Sequence, residues 1–138
     1  MGLILDSSVV IAGERCCHTV WQILEQVHSA YHETEVGLSV VTVVELMHGV
    51  YRAKLEERRQ RRQAFVDELI RDVPVHPITL DTARLAGRIE GEQAEHGVSI
   101  AFEDLLIAAT ALQLGFGIAT ANVRHFQLIP GLRVVAQA

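Results

Sequence analysis

The chain predicts an α/β fold in which a mostly parallel central sheet is flanked by helices on both faces. Three observations lead there. Short apolar runs of strand length alternate with longer segments of helical periodicity, the pattern of a parallel sheet with crossover helices. The apolar fraction is 49%, enough for a compact interior, with little aromatic content. The 138 residues contain no linker, repeat or low-complexity tract, so residues 1–138 are expected to form a single domain.

The elements follow in order. Leu3-Ile4-Leu5 reads as a short buried strand bounded by Asp6-Ser7-Ser8. Residues 19–31 read as an amphipathic helix, with Val20, Ile23, Leu24, Val27 and Tyr31 at helical spacing. A second strand is expected over 37–41, and a helical pattern from Thr42 to about Arg71, with Val44, Met47, Tyr51 and Leu55 on one face. Within it, residues 56–63 are almost wholly charged or polar and read as an exposed turn between helices or a hairpin tip. Pro74 and Pro77 make 73–78 extended, since each proline disfavours helix for itself and its predecessor. Residues 79–95 are helical, with Gly97 as a stop, and 103–114 form a buried, alanine-rich helix ended by Gly115. Residues 117–120 and 132–136 supply later strands.

Composition restricts the function. A formal charge of −5 means that the molecule as a whole does not attract nucleic acid, so any such binding needs a local basic patch. The run Arg58-Arg59-Gln60-Arg61-Arg62 is the one arginine cluster; its ordinary role is a solvated helix face, its alternative role phosphate contact. Cys16 and Cys17 are adjacent and lack zinc-ligand spacing, so two free thiols in a reducing compartment are expected. The start has no basic region of a signal peptide and no apolar stretch reaches membrane-spanning length, so a cytoplasmic location is expected. His28 and His32 lie four apart on a helix but without an HExxH pattern, and Gly115 and Gly117 precede a strand, the reverse of a dinucleotide fingerprint.

Three acids stand out: Asp6 after the first strand, Glu45 shortly after the second, and Asp104 at the head of the apolar helix. Each has an ordinary role available. Asp6 could cap the next helix, Thr42-Val43-Val44-Glu45 matches a capping box, and Glu103 and Asp104 suit the positive end of a helix dipole. Jointly they mean more. An open α/β sheet binds ligands outside the carboxyl ends of its strands, where the strand order reverses, and can bring all three to that edge. Carboxylates crowded there repel unless a cation lies between them, and hard oxygen ligands suit Mg²⁺ or Mn²⁺.

These segments make the chain resemble the PIN-domain ribonucleases, in particular the VapC-like toxins of type II toxin–antitoxin pairs. The resemblance runs in order through the strand ending at Asp6-Ser7-Ser8-Val9, then Ser39 to Leu46 with Gly49, then Asp104 to Ala111, then Gly115, Thr120-Ala121-Asn122 and Phe126. It implies a PIN-like fold and metal-dependent cleavage of single-stranded RNA, leaving a 5′-phosphate and a 3′-hydroxyl. Asp6, Glu45 and Asp104 would be the catalytic metal ligands, holding one or two Mg²⁺ or Mn²⁺ ions. Ser7, Thr42, Asn122 and Arg124 would position water or substrate. A small antitoxin protein and a homodimer are implied as partners, with exposed apolar positions between Val44 and Leu55 as one place for either. One departure matters: the family often has a fourth acid where this chain has His125, and a neutral imidazole does not replace an anionic ligand for Mg²⁺. A non-catalytic PIN module that binds RNA or a protein partner is the alternative which that departure motivates. A phosphatase of the haloacid-dehalogenase type is disfavoured because Ser8 stands where its second aspartate would be.

Overall fold

The computed structural model describes residues 1–32 and 35–137. Its sheet has five strands, all parallel, in the order β3-β2-β1-β4-β5. They are β1 (Gly2–Leu5), β2 (Glu35–Ser39), β3 (Val75–His76), β4 (Gly117–Thr120) and β5 (Val134–Ala136). Seven helices connect them: α1 (Ser7–Arg15), α2 (Val20–Tyr31), α3 (Val40–Arg52), α4 (Glu56–Asp72), α5 (Leu80–Glu95), α6 (Phe102–Leu114) and the single turn α7 (Val123–Phe126).

The chain starts in the middle of the sheet, builds outward through β2 and β3, and returns to the other side of β1 for β4 and β5. The reversal places a crevice at the carboxyl ends of β1 and β4, which pair with Leu5 opposite Ala119. The pleat of β1 divides the interior. Leu3 and Leu5 enter a core shared with Val9, Val10, Val27 and Leu69 from α1, α2 and α4, whereas Ile4 enters one shared with Ile89, Ile107, Ala108 and Phe126. Helices therefore cover both faces. On the second face α6 is buried through Ile107, Ala108, Ala109 and Ala111, whose small side chains allow close approach to the sheet.

Helix ends follow side-chain chemistry. Thr19 and Gln22 form a reciprocal capping box at α2, and the Thr79 hydroxyl accepts from the Thr82 N–H at α5. Gly115 ends α6 at φ +71°, a left-handed conformation that a Cβ disfavours.

Four expectations are corrected. The second strand ends at Ser39 rather than Val41, because the Ser39 hydroxyl accepts from the Val41 N–H at 3.2 Å and starts α3 at Val40. Four β-branched valines argue for strand locally, but tertiary packing overrides so weak a propensity. It follows that Thr42 and Glu45 are not a capping box: both lie inside α3, and the Thr42 hydroxyl is buried without a hydrogen-bond partner. Residues 56–63 are not a turn either. They are the first half of α4, and the turn is residues 53–55. Arg, Gln and Glu are good helix formers, Glu56 and Glu57 occupy the favourable first turn, and Glu56 pairs with Arg59 at 3.7 Å. The expected apolar face of α3 is also out of phase. Thr42, Leu46 and Val50 are buried, whereas Val44 and Tyr51 are 67% and 65% exposed. Among the described residues no helix is long and apolar enough to cross a membrane.

Candidate active site

The crevice is built around Asp6. Its backbone N–H continues the sheet by donating to Ala119 O at 2.9 Å, so the side chain emerges between β1 and β4. It is only 4% exposed. Asp6 occupies the N-cap position of α1, yet its side chain caps nothing. Instead Oδ2 accepts from two hydroxyls, Ser8 Oγ at 2.7 Å and Thr120 Oγ1 at 2.9 Å. Each hydroxyl has one proton, and each oxygen in turn accepts a backbone N–H: Ala121 to Ser8 Oγ at 3.0 Å, Asn122 to Thr120 Oγ1 at 2.9 Å. The ends of β1 and β4 are thus laced together by two hydroxyls that donate to Asp6 and two amides that donate to those hydroxyls. An ordinary capping aspartate needs no such support.

Glu45 approaches from α3 and Asp104 from the first turn of α6. Both carboxyls are pushed above their ordinary values. For Glu45 the largest cause is burial, then the negative charge of Asp6, with Asp104 and Glu103 adding and a Ser7 hydrogen bond opposing. For Asp104 burial again leads, followed by Asp6, with His125 opposing and Glu103 adding. The three acids therefore share one electrostatic neighbourhood, although they are 39 and 59 residues apart in sequence (6 to 45, 45 to 104). Glu45 Oε1 is buried and accepts no hydrogen bond, an orphaned anionic oxygen of the kind that costs free energy unless something positive meets it. Thr42 Oγ1, one turn earlier on α3, is orphaned in the same way.

The remaining predicted positions divide. Ser7 is buried beside Glu45, and Thr42 is buried on the same helix. Asn122 and Arg124 are exposed around α7, and the Asn122 side chain caps nothing. His125 is drawn into the site, with Nδ1 3.2 Å from Asp104 Oδ2. Ser8 and Thr120 are the site residues that sequence reasoning missed. Their signal was their place at the ends of two apolar runs and within two segments of the family resemblance, but nothing in sequence pairs positions 112 apart.

The donor set is all oxygen, the chemistry of a hard divalent cation, and the orphaned Glu45 Oε1 fits that group. Among the described residues no three His, Cys, Asp or Glu side chains lie close enough together to enclose an ion.

The family model for the PIN domain matches residues 3–131. The chain belongs to the PIN-domain family. Among similar proteins, ribonuclease VapC1 of Rickettsia felis is 31% identical over 137 residues, covering 98% of this chain and 96% of that one. A solved VapBC-1 structure from nontypeable Haemophilus influenzae superposes with a TM-score of 0.80 at 26% identity, over 99% of this chain and 98% of that chain. VapBC2 of Rickettsia felis, solved on a DNA fragment from its promoter, has the same fold with a TM-score of 0.84 at 20% identity, over the whole of both chains. The chain is thus a PIN domain of the VapC ribonuclease type.

Proposed function

We propose that this PIN-domain ribonuclease cuts single-stranded RNA by hydrolysis at the Asp6–Glu45–Asp104 crevice, with one or two Mg²⁺ or Mn²⁺ ions as cofactor. The observation that carries the reading is the convergence of three carboxylates, two of them pushed up by burial and by Asp6, on a crevice where Glu45 Oε1 has no partner. A divalent cation held there would supply an activated water and offset charge on the phosphate and the leaving oxygen.

The protein's own residues set up the reaction. Ser8 and Thr120 fix the Asp6 carboxylate through Oδ2, so its orientation does not have to be found anew at each turnover. Ser7 restrains Glu45, and Thr42 offers a buried hydroxyl on the same helix, suited to orienting water. His125 holds Asp104 through Nδ1 and occupies the place of a fourth acid. With three carboxylates instead of four, one strongly held ion is the expected stoichiometry. Asn122 and Arg124 stand at the exposed rim, where Arg124 suits a substrate phosphate.

A small antitoxin protein is the partner that restrains the enzyme, a reading supported by a structural relative from the VapBC family of toxin–antitoxin systems. The exposed Val44, Tyr51 and Leu55 offer apolar surface for that protein or for a second copy in a homodimer. The rival reading, a non-catalytic module binding RNA or protein, draws on His125 alone. Retention of three mutually repelling acids in one crevice weighs against it.

The test is incubation of the purified chain, freed of co-purifying protein, with end-labelled single-stranded RNA in Mg²⁺, Mn²⁺ or EDTA. Cleavage in either metal, none in EDTA, and 5′-phosphate products are expected. Intact RNA under all three conditions would leave the binding-module reading.

A further inference from the structure

Two depressions share a wall and lead away from the acidic crevice. The nearer one, beside α1, α3 and α4, is lined by Glu45 together with Arg15, Arg52 and Arg62. The farther one begins at Glu14 and Arg62, which line both, and extends to Arg58, Arg61 and Phe65. The two adjoin at Glu14 and Arg62 and, taken together as a trough, reach from Glu45 to the charged half of α4.

Its cations are held in two ways. Arg62 is a fixed part of the wall: Nη1 donates to Gly49 O at 2.9 Å, and Nε lies 3.4 Å from Glu14 Oε1. Arg15, Arg52, Arg58 and Arg61 are exposed, and among the described residues they make no hydrogen bond or ion pair. Arg59, in the middle of the same run, is committed elsewhere, donating to Ala53 O at 3.2 Å and lying over the Tyr51 ring. The arginine run is therefore not uniformly solvated. It turns two free guanidinium groups toward the trough and uses Arg59 to brace the turn before α4. Five of the chain's 12 Lys and Arg residues line this path in a molecule of net charge −5.

We propose that this trough is the track of the RNA strand, with Arg15, Arg52, Arg58 and Arg61 meeting consecutive backbone phosphates on one side of the scissile bond. Guanidinium groups suit phosphate because their planar fork offers paired donors, and a half-exposed aromatic such as Phe65 offers a base a stacking surface without sequence preference. The net negative charge repels nucleic acid, so a polyanion approaching Glu45 is favoured along the cation-lined trough. The proposal rests on the ribonuclease reading for its substrate. It adds where the strand lies and which residues hold it.

The test measures binding apart from cleavage. Fluorescence anisotropy of a labelled single-stranded RNA is followed with the full chain in EDTA across a salt series, for wild type, Arg58→Ala/Arg61→Ala, and the charge-matched control Arg71→Ala/Arg88→Ala. The control arginines are exposed on α4 and α5 and do not line the trough. The trough double variant is expected to bind about tenfold more weakly at low salt and to lose about 0.7 per arginine from the slope of log K against log salt, while the control follows wild type. Equal weakening of both pairs would reduce the effect to net charge and overturn the proposal. Unchanged RNA binding in the trough variant would also overturn it and leave the trough to an acidic protein segment. Failure of the ribonuclease reading would show separately, as intact RNA in Mg²⁺ and Mn²⁺ with wild-type protein.

Discussion

The crevice at β1 and β4 and the trough side of α4 carry the molecule's two notable concentrations of like charge, and they are held in opposite ways. Asp6 is almost wholly buried, with two hydroxyls donating to one oxygen and two backbone amides bracing those hydroxyls. Arg58 and Arg61 are exposed and tied to nothing among the described residues. The difference matches the task proposed for each region. A group that must place a reacting atom gains from a fixed position, because a displacement of about 1 Å can cost on the order of 10²-fold in rate. A group that must follow a flexible polyanion along its backbone gains from freedom to move.

If this contrast is right, substitutions in the crevice should act on turnover and substitutions on α4 on binding. The largest effect is expected for Glu45→Gln and Asp104→Asn, each lowering single-turnover cleavage by about 10²–10³-fold with RNA affinity little changed. A matching loss of affinity would erase the distinction between the two regions. Next in size is the pair Ser8→Ala and Thr120→Val, which leaves every proposed metal ligand in place but removes the two donors to Asp6 Oδ2. Cation affinity should fall by about 10–100-fold, the usual scale for groups that orient ligands, and thermal unfolding should show a cost of about 1–3 kcal/mol for the buried acceptor left unpaired. Undiminished cation affinity would show that the hydroxyl network serves the fold alone.

His125→Asp sharpens the comparison in the other direction by restoring a fourth acid beside Asp104. Activity at low Mg²⁺ should rise by about tenfold. An unchanged Mg²⁺ dependence would mean that this position does not limit the metal site.

The smallest effect is on stability without metal. Glu45 and Asp104 are both pushed above their ordinary values of 4.5 and 3.8, so the folded protein holds their protons more tightly than the unfolded chain does. The stability carried by those protons is complete below the ordinary values and is lost as pH rises through the raised ones. In EDTA, the contribution of these two groups should therefore lower Tm as pH rises above about 4. Glu45→Gln should flatten that slope and raise Tm at neutral pH, and Mn²⁺ should raise Tm for wild type more than for the variant. A Tm that is equally pH-dependent in both proteins would remove Glu45 from the charged cluster.

Much of this was legible in the sequence, for reasons that can be traced residue by residue. The strand that ends just before Asp6 and the helix with Asp104 in its first turn were visible because in each an apolar run meets an acid abruptly. Glu45 was visible as a residue but not in its setting. The apparent capping box at Thr42 dissolved once Ser39 proved to be the cap, three residues earlier. The first half of α4 was read as a turn because its polar run has no apolar period, although the same residues are good helix formers. What could not be read were the contacts across the sheet. Ser8 and Thr120 meet Asp6 only because β4 returns to the side of β1, and His125 meets Asp104 only because α7 folds back onto α6. Local pattern has no access to either event.

The most direct measurement is a calorimetric titration of Mn²⁺ into metal-free wild type and Asp6→Asn, with RNA cleavage followed in the same preparations and folding checked by circular dichroism. The account predicts saturable Mn²⁺ binding to wild type, and loss of that binding together with cleavage in a folded Asp6→Asn. Equal Mn²⁺ affinity in the two proteins, or cleavage that survives Asp6→Asn, would contradict the claim that the crevice around Asp6 is the metal centre of this ribonuclease.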